Sequence, residues 1–449
     1  MRRIVTSVAL LLAPFAAIGQ TIGGNQTGGG KDPGGQSFGG SGAPGRDRDD
    51  GPDLFIDPFR FIRDDEETWD QRFVTDKLWK QTLPGRPASG PVRSGDFVVV
   101  PFEGRKLAAF HFGDGADAWS VEMPGDLAGS LVLSSEKDGG SSDVFFTTLQ
   151  GDAVRVRASD GGTAFRAHLS QEIRREPFVI GDLVIVSSRD DFVFALSAKD
   201  GTIRWKGTTG GKGLTTPTAM HDRVVVGDEA GVVHALSLQD GRESWTYQTG
   251  AGIVAPAALT ENRVLVASGD RKVYCLDLDD GDRNWSHRLG STAAAPPLLH
   301  DKFVYVATHD DLLSALRLKN GFRKWKAKLP RRVIAPLTAE GDVVYVTPFA
   351  GRDVLAFMAK NGYPMGTLSL KTHDDYGIGR AEVSETAILY ATNGRTLQRF
   401  KKITSKQVET GEEKLPVEEE DEDEDSGSGT SPGMKPAPAN PGQLAPPGK

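Results

Sequence analysis

Aromatic residues recur at a nearly constant interval through most of the chain. The positions are Trp79, Trp119, Phe165, Trp205, Trp245, Trp285 and Trp325. The interval is 40 residues at every step except from the second position to the third, where it is 46. The polar stretch 135–142 accounts for the six extra residues. A period of this length indicates tandem supersecondary units, each too small to bury its apolar face alone.

Each unit has the pattern of short antiparallel strands. In the unit that ends at Trp285, the β-branched run 264–266 is followed by a turn at 268–270 and an alternating run at 272–278. Another turn then precedes the strand that contains the tryptophan. Runs of this kind, separated by Gly, Asp and Asn, predict hairpins. A shorter fourth run follows a proline in most units, which suits a strand with one unpaired edge.

The number of units predicts a closed ring. Central hairpins are expected near residues 97–112, 143–158, 183–198, 223–238, 263–278, 303–318, 343–358 and 387–400. The last hairpin lacks an outer strand after it, and the strand around Trp79 lacks a hairpin before it. Pairing these two would close the ring and remove two exposed sheet edges. The sequence therefore predicts an all-β, eight-bladed β-propeller of four-stranded antiparallel blades, closed by the N-terminal strand around Trp79.

Two segments carry a family resemblance. Residues 193–205 and 234–245 resemble PQQ-like repeats, the units of tryptophan-docking propellers, and the resemblance extends over residues 75–404. In that family the indole of one blade docks against a small residue and the glycine peptide of the neighbouring blade. The resemblance therefore assigns a structural docking role to the seven recurring aromatic residues. It is weaker where Phe165 and Gly366 replace tryptophan and where Arg155 replaces a small residue, so less regular blades are expected there.

The two ends of the chain have other properties. Residues 1–19, with Arg2, Arg3 and an apolar run at 4–18, have the pattern of a signal peptide, and a membrane anchor is the alternative. No lipobox cysteine follows, so we expect an exported periplasmic or extracellular protein without a transmembrane segment after signal removal. Four further segments are predicted. A Gly-rich disordered linker at 20–52 is followed by an extension at 53–74 that packs on the body. The propeller at 75–404 is followed by a disordered tail at 405–449, which is first acidic and then rich in Pro and Ala. A short helix is expected within the extension, near 64–73.

Charge and motifs argue against several functions. The formal net charge is -8, most of it in the C-terminal tail, and a near-neutral body with an acidic tail does not favour nucleic-acid binding. The sequence contains neither His-Glu-x-x-His nor Gly-x-Ser-x-Gly. The repeated Thr-His-Asp-Asp at 308–311 and 372–375 is interpreted as surface turns, and the single cysteine, Cys275, as the filling of a small-residue site. We therefore predict no catalytic, cofactor-binding or metal-binding residues.

Recognition of a protein is the remaining function. The turns within the hairpins and the connections between blades are expected on one face, where arginines and an aromatic residue suit a partner-binding site. The predicted residues are Arg174, Arg175, Arg331, Arg332, Phe349 and Arg352. Size and repeat type resemble the family of the outer-membrane-protein assembly factor BamB. That resemblance implies a monomeric, non-enzymatic periplasmic scaffold for an envelope protein partner.

Two alternatives remain open at this point. One is a quinoprotein-type dehydrogenase or PQQ-binding protein, although such enzymes commonly carry a vicinal disulfide that a chain with one cysteine cannot form. The other is an extracellular propeller that binds a ligand such as a polysaccharide.

Overall fold

The computed structural model describes the propeller and one short segment before it. The described residues are 54–56, 74–134, 143–169, 171–330, 332–333, 335–347, 353–369, 382–383, 387–392 and 395–402. The predicted signal peptide, linker and tail, the helix near 64–73 and the stretch 135–142 lie outside them.

The described residues form 33 β-strands and no helix. Strands β1 (Leu54–Ile56) and β2 (Val74–Thr82) come first. Blade one is β3 (Val92–Ser94), β4 (Phe97–Phe102), β5 (Lys106–His111) and β6 (Asp117–Glu122). Blade two is β7 (Val132–Leu133), β8 (Val144–Thr147), β9 (Asp152–Val156) and β10 (Thr163–His168). Blade three is β11 (Phe178–Ile180), β12 (Leu183–Ser187), β13 (Phe192–Ser197) and β14 (Ile203–Thr208).

The later blades repeat the pattern. Blade four is β15 (Thr218–Met220), β16 (Arg223–Gly227), β17 (Val232–Ser237) and β18 (Glu243–Gln248). Blade five is β19 (Ala258–Thr260), β20 (Arg263–Ser268), β21 (Lys272–Asp277) and β22 (Arg283–Arg288). Blade six is β23 (Leu298–His300), β24 (Phe303–Thr308), β25 (Leu312–Arg317) and β26 (Arg323–Lys328). Blade seven is β27 (Thr338–Glu340), β28 (Val343–Val346), β29 (Asp353–Met358) and β30 (Pro364–Ser369). Blade eight is β31 (Glu382–Val383), β32 (Ala387–Thr392) and β33 (Thr396–Lys402), with β2 added at its outer edge.

These strands form eight sheets, and the prediction of an eight-bladed propeller is confirmed. Within each blade the consecutive strands pair antiparallel, and the first strands of adjacent blades contact one another around the axis. Ring closure is also confirmed, because β2 pairs antiparallel with β33, placing Lys77 opposite Phe400 and Trp79 opposite Arg399. Blade six has a fifth strand, since β1 pairs parallel with β26.

The apolar core lies between the blades. The middle strands are rich in β-branched residues and are buried on both faces, so alternate side chains pack toward the two neighbouring blades. One cluster shows the arrangement: Val225 and Val233 of blade four pack with Val264 and Leu276 of blade five. A blade therefore completes its core only when both of its neighbours are present.

The aromatic residues of the outer strands join each blade to the next. In six blades the indole N–H donates to a main-chain carbonyl of the following blade, at 2.8 to 3.0 Å. The pairs are Trp79 with Phe112, Trp119 with Ala158, Trp205 with Leu238, Trp245 with Leu278, Trp285 with Leu318, and Trp325 with Ala359. Each indole ring also lies against a glycine of the blade that follows it. Where a small residue is paired with the tryptophan, that residue belongs to the tryptophan's own blade, as Ala235 does for Trp245.

The glycine contact leaves no room for a side chain. A Cβ added to Gly321 would lie 2.4 Å from Cε3 of Trp285, and one added to Gly241 would lie 2.4 Å from Cε3 of Trp205. Gly321 also has a φ of 73°, in the left-handed region. Glycine is therefore required at this position both by the turn and by the ring packed on it.

The junction between blades two and three uses a different donor. Phe165 has no N–H, but its ring packs against Gly201 as the tryptophans pack on their glycines. The carbonyl of Ala198, which holds the place of Leu238 in the next junction, accepts a hydrogen bond from Nη1 of Arg155 at 2.7 Å. Nε of the same guanidinium donates to the Asp143 carboxylate at 2.6 Å. Arginine at the small-residue position thus replaces the missing indole donor.

The junction between blades seven and eight has no aromatic residue at the docking position. Gly366 stands there, opposite Ala356. Apolar side chains fill this junction instead: Tyr345 and Val354 of blade seven pack with Ile388 and Phe400 of blade eight.

The contact between Gly321 and Trp285 leads to a stability prediction. We expect Gly321→Ala to lower the free energy of unfolding by about 3 kcal/mol, since a left-handed alanine costs about 1–2 kcal/mol and overpacking adds about 1–3 kcal/mol. Gly104→Ala is the matched control, because Gly104 has a φ of 82° and nothing within 4 Å of an added Cβ. Urea denaturation of the two variants measures the difference, and equal losses would contradict the docking role.

The replacement of tryptophan by Phe165 with Arg155 predicts an energetic coupling. Arg155→Ala should lower the free energy of unfolding by about 1–3 kcal/mol, because the Ala198 carbonyl and the half-buried Asp143 lose a donor. Adding Phe165→Trp should recover part of this loss, since the indole N–H then reaches Ala198 and the alanine leaves space for the ring. A double-mutant cycle by urea denaturation measures the coupling, and strictly additive effects would argue against it.

Candidate functional site

The turns between the second and third strands of the blades lie beside the connections between blades, and together they form one face of the ring, here called the loop face. Main-chain hydrogen bonds tie the turns to the connections. Arg189 N donates to Glu172 O and Gly213 N donates to Arg189 O, both at 2.8 Å. Gly269 N donates to Gly252 O at 2.9 Å. The loop face is therefore a backbone platform whose segments hold one another in place.

Three arginines occupy an uncommon backbone conformation on this face. Arg105, Arg271 and Arg395 each end a turn with a φ of 64°, 66° and 60°. Blades two and four have glycine at this position, Gly151 and Gly231. The left-handed region disfavours residues with a Cβ, so arginine is held here at a cost in backbone energy. All three arginines are exposed.

Arg174 and Arg175 lie in the connection between blades two and three, where two cations share one carboxylate. Nε of Arg174 lies 2.6 Å from the Glu172 carboxylate, and Nη1 of Arg189 lies 2.9 Å from its other oxygen. Hydrogen bonds from Arg189 and then Arg174 hold the pKa of Glu172 below its usual range. The Arg175 side chain is half-buried, and its main-chain carbonyl accepts a hydrogen bond from the Thr147 hydroxyl.

A second ion pair ties a turn of the loop face to a neighbouring connection. Nη2 of Arg105 lies 3.0 Å from Asp126 Oδ2, and Nε lies 3.2 Å from Oδ1. This fork-shaped contact is the strong geometry for an arginine–carboxylate pair. The hydrogen bond from Arg105 lowers the pKa of Asp126 and outweighs the opposing effect of burial.

The structure does not bring all the predicted partner-binding residues into one patch. Arg332 is exposed in the connection between blades six and seven. Four blades of the eight-bladed ring separate that connection from the one that carries Arg174 and Arg175, so the two groups lie on opposite sides of the axis. Arg331, Phe349 and Arg352 lie outside the described residues. The repeat order already places these connections four blades apart, but the prediction grouped the residues by their face of the ring and did not consider their angular position.

Buried carboxylates lie beneath the turns of the loop face. Asp228 is 1% exposed; it accepts a hydrogen bond from the N–H of Val232 at 2.7 Å and lies 3.3 Å from Nε2 of His234. Asp152, also buried, is held by Arg166 at 2.9 Å and His168 at 3.0 Å. Burial raises the pKa of Asp152, but the hydrogen bonds from Arg166 and His168 outweigh it, and the net shift is downward. Both carboxylates have structural partners that account for their burial.

The remaining residues with possible chemistry occupy structural positions. Cys275 is fully buried opposite Trp285, and burial raises the pKa of its thiol to about 11. Residues 308–311 form the turn between β24 and β25, whereas 372–375 lie outside the described residues. In the part of the chain that the structure describes, no group of three or more His, Cys, Asp or Glu residues is arranged to hold a metal ion. No helix among the described residues has the length and apolar character needed to cross a bilayer.

The fold and the repeat define the chain as an eight-bladed propeller of the PQQ-like class. The model of one protein family, described as outer membrane protein assembly factor BamB, matches residues 137–253 and 248–377, which together make up more than half of the chain. The chain belongs to this family.

Solved structures share the fold at low sequence identity. BamB from Moraxella catarrhalis is 16% identical with a TM-score of 0.60, and the match covers 73% of this chain and 97% of that one. The computationally designed protein Ika8 is 13% identical with a TM-score of 0.61, covering 72% and 99% of the two chains. Sqt1 from Saccharomyces cerevisiae is 10% identical with a TM-score of 0.61, covering 73% and 99%. A search of the curated proteins found no significant match to the sequence.

Proposed function

We propose that this protein is a non-enzymatic scaffold of the periplasm that holds an envelope protein partner on its loop face, in the manner of a BamB-type factor in envelope or outer-membrane protein assembly. Membership of the BamB family supports this role. The pattern of a signal peptide at residues 1–19 supports export.

One observation carries the proposal: the loop face presents arginines from several blades on a backbone that is hydrogen-bonded across blades. A preformed surface loses little conformational entropy on binding, so less of the free energy gained from its contacts is offset by the cost of ordering it. Arg271 and Arg395 are kept in a left-handed conformation that glycine would adopt more easily, which favours a role for their side chains.

The ion pairs on the loop face suggest the chemistry of the partner. Glu172 is shared by Arg174 and Arg189, and Asp126 is held by Arg105. A partner carboxylate that approaches Arg174 or Arg189 would join an existing network in which both cations are already oriented, and Arg175 is the next residue in the chain after Arg174. The proposed partner therefore presents an acidic surface, and the two arginine groups on opposite sides of the axis make separate contacts with it.

Charge reversal on the loop face tests this role. We expect Arg174→Glu with Arg175→Glu, and separately Arg331→Glu with Arg332→Glu, to reduce the recovery of co-purifying envelope proteins at least about tenfold, because each reversal repels an acidic partner surface. The measurement is quantitative mass spectrometry after affinity purification of the full chain from an envelope fraction. β-barrel assembly proteins are the expected partners.

The control reverses two exposed arginines at the strand ends away from the loop face, Arg204→Glu on β14 and Arg283→Glu on β22, which matches the change in charge. If all partners are recovered equally from the wild type and from both loop-face variants, the proposed site is wrong. If the control loses them equally, the effect is one of net charge.

The enzymatic alternative predicts a different result in solution. With Cys275 as its one cysteine, the chain cannot form the vicinal disulfide common under the quinone in quinoprotein dehydrogenases. We therefore expect purified protein incubated with pyrroloquinoline quinone and Ca²⁺ to show no quinone absorbance after gel filtration and no dye-linked oxidation of alcohols. Turnover with retained quinone would replace the scaffold proposal with the dehydrogenase alternative.

A further inference from the structure

The outer edge of blade six carries a strand that is not part of the repeat. β1 lies parallel to β26, with Leu54 opposite Trp325, Phe55 opposite Lys326 and Ile56 opposite Ala327. Among the described residues, blade six is the one sheet with five strands. Its edge is thus able to bind an extended segment by main-chain pairing, which is the mode called β-augmentation.

The charge of this edge distinguishes it from the other outer strands. β26 reads Arg-Lys-Trp-Lys-Ala-Lys, with four cations in six residues. The corresponding strand of blade one contains Asp117 and Glu122, and that of blade seven contains neither lysine nor arginine. The segment that pairs with β26 has the opposite character, because Asp53 and Asp57 directly flank its three apolar residues. The sequence of β1 and the charge of β26 are therefore complementary.

The residue opposite Leu54 is the most buried of the docking indoles, and the Tyr305 ring also packs on it, with the ring centroids 5.8 Å apart. Trp325 is 0% exposed, whereas Trp205, Trp245 and Trp285, at the equivalent positions of three blades without a fifth strand, are 8%, 9% and 8% exposed. Lys324 and Lys328 are exposed at the same edge. A segment paired here thus lies beside β26 with two exposed lysines at the same edge.

The chain's own strand is a weak occupant of this edge. It pairs over three residues only, and a strand of that length adds few hydrogen bonds to a sheet. Covalent attachment raises its effective concentration to the millimolar range, which compensates for weak intrinsic binding. A longer segment of the same type from another protein would replace it with more main-chain bonds.

We propose that the outer edge of blade six is a second binding site, separate from the loop face, for an extended segment of another protein whose apolar residues are flanked by carboxylates. The segment binds as a fifth parallel strand on β26, and residues 54–56 cover the edge in the free protein. Lys324 and Lys328 attract the flanking carboxylates, and the strand gives the main-chain pairing.

The test uses a labelled peptide of residues 50–59 and the full chain. We expect the variant with Leu54→Gly, Phe55→Gly and Ile56→Gly to bind this peptide at least about tenfold more tightly than the wild type, as measured by fluorescence anisotropy, because the competing segment is weakened. In that variant, adding Lys324→Glu and Lys328→Glu should weaken binding at least about tenfold. A peptide with Asp53→Lys and Asp57→Lys should bind at least about tenfold more weakly than the parent peptide.

The matched control adds Arg283→Glu and Arg288→Glu on β22 to the glycine variant and should leave peptide binding unchanged. The site is refuted if the glycine variant binds the peptide no more tightly than the wild type, or if the control weakens binding as much as the β26 change.

A wild-type dimer that the glycine variant abolishes would make a second copy the occupant. Tighter binding on removal of residues 405–449 would make the acidic tail the occupant, and either result overturns the proposal. Neither result depends on the loop face, because Arg174, Arg175, Arg331 and Arg332 are unchanged throughout.

Discussion

The contact between an indole and the glycine of the next blade is the interaction on which the ring depends. A four-stranded blade cannot enclose its own core, so its stability comes from its interfaces with its neighbours. At Trp245 the ring covers Gly281, and the indole N–H bonds to the carbonyl of Leu278, so one side chain supplies both apolar contact and a directed hydrogen bond. Six of the eight junctions repeat this contact between an indole and the following blade.

The two irregular junctions show which parts of this contact are replaceable. At Phe165 the apolar ring and the glycine are kept, and Arg155 supplies the donor to Ala198. At Gly366 the aromatic ring is missing, and Phe400 joins the apolar packing from the other side of the junction. At the ring closure between blades eight and one, an indole and an arginine act together. Trp79 and Arg399 donate hydrogen bonds to the same carbonyl oxygen of Phe112. Arg399 lies opposite Trp79, as Arg155 lies opposite Phe165, so arginine beside the aromatic residue is a second solution to the same interface.

The architecture could be predicted from the sequence because the residues that join the blades recur at a constant interval. The 40-residue interval that recurs from Trp205 to Trp325 indicates one repeated interface, and the unpaired strand at Trp79 indicates where the ring closes. The function of Arg155 was missed, because its departure from the small-residue pattern indicated irregularity and not a new donor. The pairing of residues 54–56 with β26 was also missed: these three residues belong to no repeat, and spacing alone does not select one blade edge among eight. The arginines of the loop face were predicted as one group because they share a face, although the repeat order places Arg174 and Arg332 on opposite sides of the axis.

The way the core is divided determines which surfaces are left for recognition. Each blade uses both faces of its middle strands for packing against neighbours, so the apolar surface of these strands is buried in the ring. What remains is of two kinds: loop side chains on a backbone held by cross-blade hydrogen bonds, and the unpaired main chain of the outer strands. In the proposed functions the first kind selects by side-chain charge and the second by main-chain pairing, so the two would recognise different features of a partner. A scaffold that uses both would hold a folded surface on one face and an extended segment at its rim, and because both sites belong to one closed ring, the fold itself sets the distance between the two bound elements.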